Sequence, residues 1–446
     1  MGYIIYNIFL KIYIAAFNIA ALFNNKARLG VRGRKNIFTK IRSNPEYNHQ
    51  QLIWMHCASL GEFEQGRPVL ESLKQLYPGT SIVLTFFSAS GYEVMKDYKG
   101  ADQIFYLPMD SEYNAKKMVD VLNPSLVLWV KYEFWYHYLH ELKRRNIPVL
   151  LISGIFRVNH PFFKWYGEIW RRMLDCFTHF FVQNETSGNL LIKVGIHENI
   201  IIVSGDTRFD RVIEIAEKFE PLPFIENFCG NNKILVAGST WEEDEAELIH
   251  YVKANPETKF IIAPHEINVE NLKDVKKEFV NSIFYSELIN EKGQLATGSW
   301  QSSTGKGQLA NEEYETRNEK EKKKNVLIID NVGILSRLYY YADITYVGGG
   351  FGADGVHNVL EAAVYGKPVI FGPEFEKYSE AVGLVDCGGG LTIQNALELE
   401  SILNELWKNE SLLAATGEKA KNYVYSNTGA SNKIIQFIQE KRLLIN

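Results

Sequence analysis

The sequence predicts an α/β chain of two parallel-sheet domains, preceded by an apolar helix with a basic flank. Three observations carry that prediction. After residue 50, short apolar runs alternate with helical periodicity. The alternation breaks once, near 208–232, and then restarts. Residues 3–24 are mostly apolar and aromatic, and cations follow them. Apolar strands alternating with helices imply parallel sheets covered on both faces.

The elements follow in order. "LIWMHCAS" reads as a buried strand and "GEFEQGRPVLESLKQLYP" as a helix ending at Pro78. The strands "SIVLTFFS", "ADQIFYLPM", "SLVLWV", "VLLISGI", "HFFVQN" and "NIIIVSGD" then alternate with helices. The helices are "ASGYEVMKDY", "SEYNAKKMVDVLNP", "FWYHYLHELKRRNIP", "FKWYGEIWRRMLDCF" and "TSGNLLIKVGI". Pro and Asn content and weak strand character mark 208–232 as a linker. The second series has strands "KILVAGST", "TKFIIAPH", "NVLIID", "ITYVGGG", "KPVIFGP" and "GGGLTI". Its helices are "EEDEAELIHYVKAN", "NVENLKDVKKEF", "GILSRLYYYA" and a helical tail. The expected division is 1–45, 46–215 and 216–446, with the last helix free to pack back on the earlier domain. Residues 291–325 are polar and nearly without aliphatics, and read as a mobile insertion.

With 446 residues, 46% of them apolar or aromatic, the chain can fill two cores. A net charge of −5 argues against a nucleic-acid partner. Cys57, Cys176, Cys229 and Cys387 lie far apart, in no metal-ligand or disulfide spacing. Eight Lys/Arg precede the first acid, Glu46, and seven of them fall between Lys26 and Arg42. Charges placed after an apolar segment read as an uncleaved anchor facing anionic headgroups on the cytoplasmic side. Lys11, near the middle, favours a helix lying in the interface over one that spans. A buried helix on the soluble domain is the plain alternative. "FRVNHPFFKWYGEIWRR", residues 156–172, fits a membrane-facing segment and an amphipathic core helix equally well.

Gly350, Gly352 and Gly355 spell G-x-G-x-x-G, the spacing of a dinucleotide site. The rest of that pattern fails. The motif comes late in the second domain, and Glu374 and Glu376 follow a Gly-Pro turn rather than ending a strand. No P-loop spacing occurs. Strand-end glycines let a ligand approach the backbone. A helix beginning near His357 would turn its N–H groups toward phosphate. Asn358 and Glu361 share a helical face, where a carboxylate suits ribose hydroxyls. "LVAGSTWEEDE", 235–245, is a second phosphate candidate. Its plain alternative is Thr240 as an N-cap with Glu243 as box partner.

Together "GSTWEEDE", "APHE" and "ADITYVGGGFGADGVHNVLEAAVYGKPVIFGP" resemble the C-terminal domain of bacterial Kdo (3-deoxy-octulosonate) transferases. In the first half, "HCASLGEFEQGRP" resembles that family's H-x-x-S-x-G-E segment and "YEFW" its E-x-W strand end. The resemblance covers nearly the whole chain; the 291–325 insertion and Lys131, where many relatives carry an acid, depart from it. It implies the GT-B fold, two Rossmann-like domains with parallel sheets facing across a cleft, plus an N-terminal membrane-associated helix. It implies inverting transfer of Kdo from CMP-Kdo to a phosphorylated lipid A precursor at the cytoplasmic face of the inner membrane, with no cofactor and no metal. Glu62 would be the general base, on the turn after the first strand; Ser59–Glu62 is also a capping-box spacing, which would tie that carboxylate to the backbone. The acceptor would meet His56, Ser59, Gly61, Glu133 and Arg157. The donor would meet Arg208, Gly238, Ser239, Thr240, His265, Gly349, Gly350, Asn358 and Glu361. Arg157 and Arg208 end strand-like segments, where surface ion pairs are the alternative. Competing readings are a GT-B transferase or epimerase acting on a UDP-sugar, and a membrane-bound nucleotide-sugar-binding protein.

Overall fold

A computed structural model describes residues 2–42, 51–131, 133–289 and 324–445. They form two compact units. The first comprises residues up to 211 together with 427–445, and the second comprises 212–426.

The first unit is built on seven parallel strands: β1 (Leu52–Cys57), β2 (Ser81–Phe86), β3 (Gln103–Tyr106), β4 (Leu126–Val130), β5 (Val149–Gly154), β6 (His179–Val182) and β7 (Ile201–Val203). Their order is β3-β2-β1-β4-β5-β6-β7. All six residues of β1 are buried, because helices cover both faces. Side chains therefore alternate between two cores. Trp54, Val83, Val127 and Leu151 fill one. Ile53, Met55, Leu84 and Leu128 fill the other, against Phe63, Val69 and Leu73 of the helix Leu60–Leu76. The last helix, Ala430–Glu440, seals that second core with Ile434 and Ile438. Its start is fixed by Asp210, which accepts hydrogen bonds from Thr428 Oγ1, Gly429 N and Ser431 N, each 2.6 Å.

The N-terminal helix Gly2–Phe23 packs through one stripe, with Tyr6, Leu10 and Ala21 buried. Tyr6 donates to buried Asp110 (2.7 Å), and Asn7 Oδ1 lies 2.9 Å from His137 Nε2. The opposite face, including Ile4, Ile5, Ile8, Phe9, Ile12 and Ile19, is exposed. Length and composition suffice to cross a membrane. A helix fixed along one side to a folded unit and apolar on the other has the geometry of one lying in an interface.

The second unit repeats the architecture with β8 (Ile234–Thr240), β9 (Lys259–Pro264), β10 (Ser282–Phe284), β11 (Val326–Ile328), β12 (Ile344–Val347), β13 (Val369–Phe371) and β14 (Gly390–Thr392). The order is β10-β11-β9-β8-β12-β13-β14, all parallel. The chain crosses to the other half of each sheet between β1 and β4 and between β8 and β12; in the second sheet β10 also lies outside β11 at the edge. Ligands of such sheets bind beyond the carboxyl ends of the strands at these switch points.

Four sequence expectations need correction or refinement. The boundary between the units falls at Arg211/Val212, inside the stretch read as a linker, but that stretch is helical: it holds the helices Thr207–Glu217 and Pro223–Cys229. Phe209, Val212 and Ile213 form the buried stripe of the first, and Pro223 starts the second. Strand β10 has no counterpart in the sequence reading. The helix expected across 163–177 is confined to Glu168–Leu174, after a 3₁₀ turn at Pro161–Phe163. The helix expected near His357 starts at Leu360 and is four residues long. All but the last two residues of the 291–325 insertion lie outside the described residues.

Candidate active site

Glu62 stands in the first turn of Leu60–Leu76, directly beyond β1. The expected capping box is not formed. Ser59 is the N-cap residue but its hydroxyl makes no capping bond. The Glu62 carboxylate instead accepts from Ala58 N at 2.5 Å. It is 8% exposed. Burial pushes its pKa up to about 7, against the Ala58 hydrogen bond and the nearby Lys131 charge, which both lower it. Lys131 sits just past β4 with φ of 63°, left-handed for a non-glycine residue. Gly61 has open space where a Cβ would stand.

Glu133 follows β4, the strand paired with β1. Its Oε2 is buried without a hydrogen-bond partner. Burial first, and then the Glu62 charge, raise its pKa to about 8 against the pull of Arg34. Arg34 is fixed by three carbonyls, of Leu107 (2.8 Å), Gly30 (3.0 Å) and Phe87 (2.5 Å). His56 pairs in register with Thr85 and Trp129. Its Nδ1 lies 3.0 Å from Thr85 Oγ1, and its Nε2 is buried without a partner. Burial takes its pKa down to about 3, so the ring is neutral. The switch point of the first sheet therefore gathers two carboxyls with raised pKa values, one neutral imidazole and unsatisfied polar atoms. In an otherwise apolar interior such groups mark a site of chemistry.

Arg157 is exposed beyond β5. Arg208, in the first unit, closes on Asp206 with bonds of 2.9 and 2.6 Å. That ion pair is the alternative its position allowed.

The switch point of the second sheet brings together Gly238, Ser239 and Thr240 after β8 and Gly348–Gly350 after β12. Gly348 N donates to Gly238 O at 2.9 Å. Ser239 has φ of 54°, where the β8–β9 register shifts. Gly349 has φ of 91°, and a Cβ there would lie 2.6 Å from Gly355 O. A Cβ on Gly350 would lie 2.6 Å from Gly372 N. Both positions need glycine. Thr240 is not presented to a ligand: it is 1% exposed and donates to Glu245 Oε1 at 2.8 Å. Nor does it cap the helix with Glu243. The N-cap residue is Trp241, whose N–H donates to Asp244 Oδ2 at 3.0 Å.

Sequence reasoning missed Asp244. The same Oδ2 accepts from Gly349 N (2.8 Å), and Oδ1 accepts from Tyr346 OH (2.8 Å). One buried carboxylate thus ties the two strand-end loops together. It also missed Trp241 and His357. The His265 ring stacks on both, at centroid distances of 4.6 and 4.5 Å. Trp241 Nε1 donates to His357 Nε2 at 3.0 Å, which leaves the His357 proton on Nδ1. Asn358 donates to Glu361 Oε1 at 3.0 Å, so the two meet although no helix joins them. Among the described residues no group of three His, Cys, Asp or Glu side chains could hold a metal ion.

Residues 28–211 match the family model of the 3-deoxy-D-manno-octulosonic-acid transferases. The chain is 25% identical to a 3-deoxy-D-manno-octulosonic acid transferase of Chlamydia pneumoniae, covering 86% of this chain and 83% of that one. It is 25% identical to one from Haemophilus influenzae, over 87% of each. A bifunctional glycosyltransferase/methyltransferase of Fusobacterium nucleatum is 24% identical over 85% of this chain, which spans 58% of that longer protein. The fold is similar to that of a UDP-GlcNAc 2-epimerase from Neisseria meningitidis, with TM-score 0.59 and 16% identity, over 87% of this chain and 100% of that one. Two Rossmann-like units of parallel sheet place the chain in the GT-B fold class. Residues 28–211 thus match the 3-deoxy-D-manno-octulosonic-acid transferase family model, and the chain is similar to curated transferases of that name over most of its length.

Proposed function

We propose that this chain is an inverting glycosyltransferase. It would move Kdo from CMP-Kdo to a phosphorylated lipid A precursor, with Glu62 as general base. The observation that carries the reading is Glu62 at the end of β1, buried, held by one backbone N–H and brought to a pKa of about 7. A base poised near the working pH best combines an ionised fraction with a real pull on the proton. In the reaction Glu62 takes the proton of an acceptor hydroxyl as its oxygen bonds to the anomeric carbon. The bond from that carbon to the phosphate oxygen breaks, and CMP leaves with the electron pair. Neutral His56 and Glu133, protonated at neutral pH, offer hydrogen bonds to the acceptor sugar without adding charge beside the base.

The second unit supplies the donor site. Gly349, Gly350 and Ser239 form the strand-end floor on which a phosphate rests, and the Asn358–Glu361 pair suits ribose hydroxyls. The exposed apolar face of Gly2–Phe23 and the cations after it hold the enzyme on the cytoplasmic face of the inner membrane, where the acceptor lies.

The test is incubation of purified chain with CMP-Kdo and a tetraacylated lipid A precursor, with products weighed by mass spectrometry. The expected result is the acceptor gaining one or more Kdo masses with matching CMP release. Turnover of UDP-sugars with CMP-Kdo untouched would overturn the reading.

A further inference from the structure

Beside the N-terminal helix the first unit holds a cavity of about 610 Å³ that none of this chemistry uses. Tyr3 of that helix forms part of its wall, with Lys116, Tyr136, His140, Arg144 and Arg172. Tyr136 and His140 stack in parallel, 5.5 Å apart, as one side. His137 also lines it, held through Nε2 to Asn7. Two acids share the lining. Glu141 is committed to Arg144 (2.8 Å) and Arg145 (2.6 Å), and burial does not prevent its pKa falling to about 2 beside them. Glu112 stands one helical turn before Lys116. Lys116 makes no ion pair among the described residues. Arg172 pairs with Glu168 at 2.6 Å, but both side chains are more than half exposed, so the pair is weak.

The surroundings say what the cavity faces. Next to Tyr3 the helix exposes Ile4, Ile5 and Ile8. Gly2 lies against Ile169 of Glu168–Leu174, the helix that carries Arg172. The segment leading into that helix exposes Trp165 at 92% and Tyr166 at 51%. Amphipathic aromatics of this kind favour a membrane–water boundary. A cation-lined recess bordered by an apolar helix face and interfacial aromatics matches an anionic lipid: headgroup phosphate among the cations, acyl chains along the helix.

We propose that this cavity binds the headgroup of an anionic glycerophospholipid, independently of the transferase site. The inference rests on the helix lying at the membrane surface, and the experiment separates the two. The full chain is titrated calorimetrically with monomeric short-chain phosphatidylglycerol and, separately, with phosphatidylcholine of the same chain length. The expected result is saturable binding with a preference of roughly tenfold or more for the anionic lipid. Lys116→Gln with Arg172→Gln should remove that preference. Lys253→Gln with Lys408→Gln, both exposed in the second unit, should retain it. Equal affinity for the two lipids, or a Lys116/Arg172 variant that keeps the preference, would overturn the proposal. So would binding of the phosphorylated disaccharide of the acceptor at these residues in place of phosphatidylglycerol. Vesicle flotation reads the other claim: a chain that floats with neutral and anionic vesicles alike keeps the membrane reading and loses this one.

Discussion

The two switch points have the same topology, and burial raises the pKa of acids at both; they differ in how their buried polar atoms are hydrogen-bonded. Beyond β1 and β4, polar groups are buried and left unsatisfied: Glu133 Oε2 and His56 Nε2 have no partner, and two carboxyls are pushed toward neutrality. Beyond β8 and β12 the buried acids are also pushed up in pKa by burial, but each carries hydrogen bonds from the strand-end loops. Asp244 accepts three hydrogen bonds and Glu245 holds Thr240. An unsatisfied buried donor or acceptor costs about 1–3 kcal/mol, so it persists where a substrate completes it. A satisfied network fixes shape instead. The proposed reactive site thus keeps unsatisfied polar atoms, and the proposed donor site keeps its two strand-end loops tied together.

The largest expected effect breaks that contrast on the reactive side. Glu62→Gln removes the base and keeps the volume, and should lower kcat by about 10²–10⁴-fold with thermal stability retained. Steady-state rates on CMP-Kdo check it. On the shape-holding side, Gly349→Ala forces a Cβ into Gly355 O at a left-handed position. It should cost about 2–4 kcal/mol and weaken CMP binding, read by denaturant unfolding and calorimetry. Asp244→Ala leaves the Trp241 and Gly349 N–H groups and the Tyr346 hydroxyl without their acceptor and should cost about 2–3 kcal/mol, again with weaker CMP binding. Glu243→Gln, on the exposed residue beside it, should change neither.

The pH dependence of stability sharpens the comparison further. Glu62 and Glu133 have folded pKa values above the unfolded ~4.3, so the folded chain holds extra protons between about pH 4 and 8. Their contribution is full below that window and is lost as pH rises through it. His56 acts in the opposite sense. Its folded pKa of about 3 lies below the unfolded ~6.5, so its contribution is lost as pH falls through that range. Glu62→Gln should therefore flatten the alkaline loss, by on the order of 1 kcal/mol at pH 8, in urea melts across pH. The smallest effect is Glu133→Gln on catalysis. It should move the rising limb of the rate profile down by less than about one pH unit, since Glu133 is mostly neutral where Glu62 titrates.

Much of this was legible in the sequence. Continuous apolar runs gave the parallel sheets, and strand-end Gly-Glu and Gly-Gly-Gly gave both switch points. Asp244 was missed because its partner Gly349 is distant in sequence, and "WEEDE" looks like any acidic first turn. The short helix at Leu360 was overextended because "VHNVLEAAVYG" has helical spacing throughout. There His357 N donates to Gly348 O and Gly355 adopts φ of 85°, holding the segment as a loop. Trp241, His265 and His357 stack only once three separate loops meet.

The most direct test is kcat/KM for CMP-Kdo and the lipid A precursor from pH 5 to 9, for the unmodified chain and Glu62→Gln. The expected result is a limb rising through about pH 7 in the first, and a residual rate at least a hundredfold lower, without that limb, in the second. Retention of the limb and of the rate by Glu62→Gln would contradict Glu62 as the base.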